Sequence, residues 1–98
     1  MTLHLDGKAD EAIDRLKQLA ADVPDYALTF NALAAFAKQR GELDEAIRYI
    51  KEYCQLEPND PFGFTILSSY CIAAGNRGDA EIALGQAYEL RMRQQFEM

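Results

Sequence analysis

The sequence has few of the residues that carry enzyme chemistry. It contains one histidine, His4, and two cysteines, Cys54 and Cys71, in 98 residues. His4 lies in a predicted N-terminal tail, so no Ser/His/Asp or Cys/His arrangement is held on rigid elements. The acidic residues fall in predicted first helical turns and on exposed faces, where helix-dipole and ion-pair roles account for them. We therefore predict that the protein is not an enzyme.

Ligand sets for cofactors and metals are also missing from the sequence. No GxGxxG pattern or phosphate-binding loop occurs, and one histidine with two distant cysteines matches no metal-ligand spacing. Cys54 and Cys71 fall on the apolar faces of predicted helices, where a reduced cysteine acts as a small buried hydrophobe. We expect no cofactor and no metal site.

Charge and hydropathy argue against two classes of partner. Ten basic and sixteen acidic residues give a net charge of -6, so the mean field repels nucleic acids and anionic membranes. Arg91 and Arg93 are interpreted as complements to the dipole of the last helix. No apolar run approaches the roughly 20 residues of a membrane span, and residues 1–6 lack the basic start and apolar run of a secretory signal. The expected location is cytoplasmic, with no membrane or nucleic-acid partner.

A period of 34 residues runs through the chain. It brings three glycines into one column, Gly7, Gly41 and Gly75. The segment Asp10–Ile13 recurs as Asp44–Ile47 in the same register. Further residues align without insertion or deletion: Ala12 with Ala46 and Ala80, and Pro24 with Pro58. A fixed period of this length indicates stacked helical repeats.

Each copy carries two helical patterns. Phe30, Leu33 and Ala37 fall on one face of a first helix, and Gly41 suits the left-handed conformation that ends it. Pro58 is expected to stop the second helix. Five helices and no strand are predicted, at about 9–22, 26–40, 43–56, 60–74 and 78–94.

Local signals refine the ends of these helices. Asp44 and Glu45 favour the positive end of a helix dipole, and Asp44 is expected to pair with Arg48 at i,i+4. Asn59 and Asp60 suit a turn that caps the next helix.

These residues resemble the tetratricopeptide repeat family, whose 34-residue unit pairs two antiparallel helices. Tyr53 departs from the family's usual alanine, which Ala87 restores in the last copy. Met92 replaces the closing proline, so the final helix is expected to continue toward Phe96. Other positions match in identity or size: Phe30 and Phe64 for tryptophan, Leu33 and Leu67 for leucine, Ala46 and Ala80 for alanine, and Pro24 and Pro58 for proline.

The resemblance implies an all-α fold of antiparallel helical hairpins, stacked as a short right-handed α-solenoid of five helices. The whole chain, 1–98, is expected to form one domain. It divides into a half repeat at 1–26, full repeats at 27–60 and 61–94, and a tail at 95–98.

The resemblance further implies an interaction module, an adaptor or scaffold that holds a peptide or partner helix on its concave face. Eight residues of the two first helices are expected to face that groove: Leu28, Asn31, Ala35, Lys38, Phe62, Thr65, Ser69 and Ile72. This mostly neutral surface suits an apolar or amphipathic protein or peptide. Packing between repeats is an alternative role for Phe62 and Ile72.

A second hypothesis comes from the incomplete first repeat. Its one predicted helix lacks a partner helix, which would leave Ile13, Leu16 and Leu19 open to water. The chain is then a self-associating structural module that completes its ends by homo-oligomerisation, or part of a larger chain.

Overall fold

The chain folds into five α-helices. The structure is a computed structural model that describes residues 2–96 and, of these, the side chains of residues 10–96. The helices are α1 (Thr2–Asp22), α2 (Ala27–Gln39), α3 (Leu43–Leu56), α4 (Pro61–Ala73) and α5 (Arg77–Phe96). No strand occurs within residues 2–96. The all-α prediction is confirmed, and α5 continues to Phe96 as expected.

Each helix packs mainly against its neighbours along the chain. The closest associations are α2 with α3 and α4 with α5, and α1–α2 and α3–α4 contacts join these hairpins into a stack. Packing between sequence neighbours is typical of a solenoid. The stack therefore has two ends, formed by α1 and by the α4–α5 hairpin.

Two turns of the stack are built alike. Gly41 and Gly75 have φ values of 78° and 81°, in the left-handed region that glycine enters freely. The amides of Glu42 and Asn76, which follow them, donate to the carbonyls of Ala37 at 2.9 Å and Cys71 at 2.8 Å. This is the hydrogen-bond pattern of the Schellman motif. Both turns lie where the glycine column predicts them.

The first glycine of that column behaves differently. Gly7 lies inside α1, which begins at Thr2 and not near residue 9 as predicted. A Schellman turn at Gly7 would need a helix that ends there, and the residues on both sides of Gly7 belong to α1. The helix therefore continues through the glycine.

Asp60 joins the end of α3 to the start of α4. Its Oδ1 accepts a hydrogen bond from the amide of Phe62 at 3.0 Å, and its Oδ2 accepts one from the Tyr53 hydroxyl at 2.5 Å. Pro61 follows as the first helical residue, where a missing N–H costs nothing. The predicted cap is confirmed, and α3 ends at Leu56, before Pro58.

Small side chains let the helices approach closely. Ala34 and Ala46 are completely buried in the α2–α3 hairpin, as is Ala87 in α5. Cys54 and Cys71 are free and buried, as predicted. The core runs through the stack as one cluster: Ala27, Ala34, Ile50, Tyr53, Cys54, Leu67, Cys71, Ala80 and Ala83.

One predicted ion pair is wrong. Arg48 pairs with Glu45, through contacts of 2.8 Å and 3.2 Å, and not with Asp44. The guanidinium also lies 4.9 Å from the centre of the Tyr49 ring. The longer glutamate side chain accepts from two of the three guanidinium nitrogens, Nε and Nη2, which gives a two-point contact.

Candidate partner-binding surfaces

The eight residues predicted to line a groove lie on α2 and α4, and we call them the groove face. Leu28 and Phe62, which begin the two helices, are 55% and 54% exposed. Asn31 and Thr65 are half-buried. The remaining four are exposed: Ala35, Lys38, Ser69 and Ile72.

The two helices of the groove face meet near their C-terminal ends. The Lys38 ammonium of α2 lies 5.7 Å from the centre of the Tyr70 ring of α4. A cation at this distance from an aromatic face is attracted to it. Sequence reasoning did not place Tyr70 beside this surface, because the contact depends on how α2 and α4 stack.

The last helix contributes a further residue to the groove face. The Thr65 hydroxyl donates to the carbonyl of Pro61 at 3.0 Å and accepts from Arg91 Nη2 at 3.1 Å. Arg91 therefore reaches α4 across the hairpin, a role that the dipole interpretation of the sequence missed. Arg93 instead pairs with Glu89 of its own helix at 3.0 Å.

Ile72 belongs to the end of the stack as much as to the groove face. It lines a cavity of about 400 Å³ between α4 and α5. The other lining residues are Ser68, Gly75, Arg77, Ala80, Glu81 and Leu84. Ile72 is 64% exposed.

The apolar face of α1 is partly covered. Ile13, Leu16 and Leu19 are each half-buried, because α1 packs against α2. Ile13 lines a small cavity with Leu33 of α2, and an ion pair between Asp10 and Arg40 joins the same helices. The expectation that this face is open to water needs correction: it is half-covered.

A longer apolar stripe is exposed on α5. Leu84, Tyr88, Met92 and Phe96 recur every fourth residue, and Tyr88 and Phe96 are 61% and 78% exposed. Residues at this spacing share one helical face. We call these four residues the α5 stripe. Their spacing is visible in the sequence, but sequence reasoning did not recognise them as an interaction surface.

The ionisable groups of the core are held neutral. Burial, with a smaller contribution from Asp60, raises the pKa of the Cys54 thiol to about 11. Burial also raises the pKa of Cys71. A thiol with such a pKa is a poor nucleophile at neutral pH. These cysteines act as core side chains.

Within residues 2–96, no helix is both long and apolar enough to cross a bilayer. Histidine, cysteine and carboxylate side chains of the described part of the chain do not gather into a group that could hold a metal ion.

Solved structures with a similar fold include two MamA structures. One MamA crystal structure superposes with a TM-score of 0.84 at 21% identity, covering 94% of this chain and 54% of that one. The MamA structure named MSR-1 C2 gives 0.81 at 25% identity, covering 89% and 50%. The fold is of the tetratricopeptide type. This chain spans about half the length of those proteins.

Comparisons of sequence alone give less. No family model matches the chain, and no curated protein matches it in sequence. The likeness to MamA therefore identifies an all-α solenoid and leaves the function to be argued from the surfaces.

Proposed function

We propose that the protein is a non-catalytic interaction module that binds a protein or peptide on the groove face. The observation that carries the proposal is the exposure of Leu28 and Phe62 at equivalent places on α2 and α4. Each leaves about half of a large apolar side chain in water. Covering such a side chain stabilises a complex by roughly 1–2 kcal/mol.

The polar groups of the groove face indicate the kind of ligand. Lys38 is its one charged member, and Arg91 borders it at Thr65. Both charges are positive although the chain carries a net charge of -6. Complementary charges orient partners and speed their association. The preferred ligand is therefore a peptide or helix with two apolar residues and an acidic group.

The proposal is tested with a library of peptides or helices displayed against the purified chain, followed by calorimetry on selected ligands. Replacing Leu28 and Phe62 by alanine together is expected to weaken binding about tenfold or more. Ile82→Ala is the matched control, because Ile82 is 64% exposed on α5 and outside the groove face. If the double variant binds as tightly as the control, the groove face is not the binding surface.

The other parts of the proposal follow from the sequence. A scaffold role would use the stack as a rigid support, and a cytoplasmic location agrees with two reduced, buried cysteines. The repeat boundaries at 26, 60 and 94 remain a prediction. Self-association is the second candidate, and the observation that favours it is the α5 stripe.

A further inference from the structure

Two residues of the α5 stripe, Leu84 and Tyr88, occupy positions that are covered elsewhere in the same molecule. A shift of 34 residues takes Ile50 to Leu84 and Cys54 to Tyr88. Ile50 and Cys54 are 0% and 7% exposed, because α4 packs against α3. At the end of the stack the equivalent residues are larger or equally apolar, and no helix in the described part of the chain covers them.

The cavity beside Ile72 has an occupied equivalent as well. The same shift takes Lys38 to Ile72, and Lys38 of α2 has the Tyr70 ring of α4 beside it. An aromatic side chain near the C-terminal end of α4 therefore occupies this place between the two hairpins. At the end of the stack the corresponding space is the cavity of about 400 Å³.

We propose that two copies of the chain form a two-fold dimer in which the α5 helices pack antiparallel through the α5 stripe. The inference does not rest on ligand binding at the groove face, although the two surfaces share Ile72 and Arg91. In a stack of antiparallel helices, the next helix would run opposite to α5. A second α5, related by a two-fold axis across the helix, has that direction.

Charge favours the antiparallel direction. The first half of α5 carries Arg77, Asp79 and Glu81, a net charge of -1, and the second half carries Glu89, Arg91 and Arg93, a net charge of +1. Antiparallel packing sets the acidic half of one copy against the basic half of the other. Parallel packing would place halves of the same charge against each other.

One register satisfies the charges, the stripe and the cavity together. Pairing Glu81 with Arg91 of the second copy also sets Leu84 against Tyr88. The same register brings Phe96 of the second copy to Asn76, next to Gly75, which lines the cavity. Phe96 then supplies the aromatic ring that Tyr70 supplies beside Lys38.

The available area is sufficient for a weak dimer. Ile72 and the α5 stripe leave about 500 Å² exposed on each copy, since large side chains have roughly 150–250 Å² each. Two copies would bury about 1,000 Å², the lower limit for a specific interface. The alternative surface on α1 offers less, because Ile13, Leu16 and Leu19 are already half-buried.

Analytical ultracentrifugation of the purified 98-residue chain across the micromolar range tests the inference. The expected result is a reversible monomer–dimer equilibrium that Tyr88→Glu or Phe96→Ala weakens about tenfold or more. Ile82→Ala is the control, since Ile82 is as exposed as Tyr88 but lies outside the stripe. Circular dichroism of each variant establishes that it remains folded.

A charge exchange tests the register. Glu81→Arg alone is expected to weaken the dimer, and adding Arg91→Glu is expected to restore it, because the pair is re-formed in both halves of the interface. A monomer at every concentration would overturn the inference, as would a dimer that Tyr88→Glu leaves intact. A dimer lost with Ile13→Glu and kept with Tyr88→Glu would assign association to α1 instead.

Discussion

Gly63 is the residue whose replacement tests the packing of the stack most directly. It lies in the first turn of α4 and is buried against α3. A Cβ added to Gly63 would lie 2.7 Å and 2.8 Å from Cδ1 and Cε1 of Tyr53, and 3.2 Å from the sulfur of Cys54. Such separations are well inside van der Waals contact, so Gly63→Ala requires α3 and α4 to move apart or the ring to turn.

The ring has little freedom to turn. Tyr53 is buried, and its hydroxyl is held by Asp60 at 2.5 Å. Overpacking of a core costs about 1–3 kcal/mol, while alanine gains up to about 1 kcal/mol over glycine in a helix. The pinned ring places the cost in the upper part of its range. We expect Gly63→Ala to lower the free energy of unfolding by about 1–2 kcal/mol.

Gly85 provides the matched control. It lies within α5, and an added Cβ would meet nothing within 4 Å. Gly85→Ala therefore gains helix propensity alone and is expected to stabilise the chain by about 0.5–1 kcal/mol. Urea denaturation followed by circular dichroism measures both variants. Equal stability of the two variants would refute the close contact between Gly63 and Tyr53.

A double-mutant cycle identifies the ring as the cause. In a Tyr53→Ala background the Cβ of residue 63 meets no ring, so the loss caused by Gly63→Ala is expected to disappear. The coupling free energy between the two positions is then about 2 kcal/mol. Independent, additive effects would show that the destabilisation arises elsewhere.

Two further predictions concern stability. The hydrogen bond to Asp60, followed by burial, raises the pKa of Tyr53 from 10.0 to about 12. The folded state therefore favours the neutral phenol, and this contribution to the free energy of unfolding is complete below pH 10 and is lost as the pH rises toward 12. Urea titrations should show a smaller alkaline loss for Tyr53→Phe, and an equal loss would contradict the assignment. Ala46→Phe places a ring at a completely buried position and is expected to lower the free energy of unfolding by about 3 kcal/mol. Ala73→Phe, at an exposed position, should cost less than about 0.5 kcal/mol; similar losses would show that Ala46 is not a close helix contact.

The helices and their ends could be predicted because their causes are local. Gly41 and Gly75 end helices through their own backbone conformation, and Asp60 caps α4 through an atom two residues from its partner. Pro58 stops α3 by the geometry of its own ring. Gly7 shows the limit of this reasoning, because it lies inside α1 although it shares the glycine column.

The candidate surfaces could be predicted only in part. The register placed Leu28 and Phe62 on the first helices, and the structure leaves both exposed. It did not reveal that Arg91 reaches Thr65, a contact between residues 26 positions apart. The register also did not reveal that Arg48 pairs with Glu45 and not with Asp44, because both acids are within reach of one arginine.

What the sequence by itself determined is the architecture: a 34-residue period, helices with one apolar face, and turns that reverse the chain. What only the tertiary structure decided is which apolar faces are covered. The Tyr53 ring packs against Gly63, and α2 covers about half of Ile13. The α5 stripe is left exposed by the helices of the described chain. Periodicity specifies the direction in which a side chain points from its helix. Whether another helix lies in that direction depends on the packing of the whole stack.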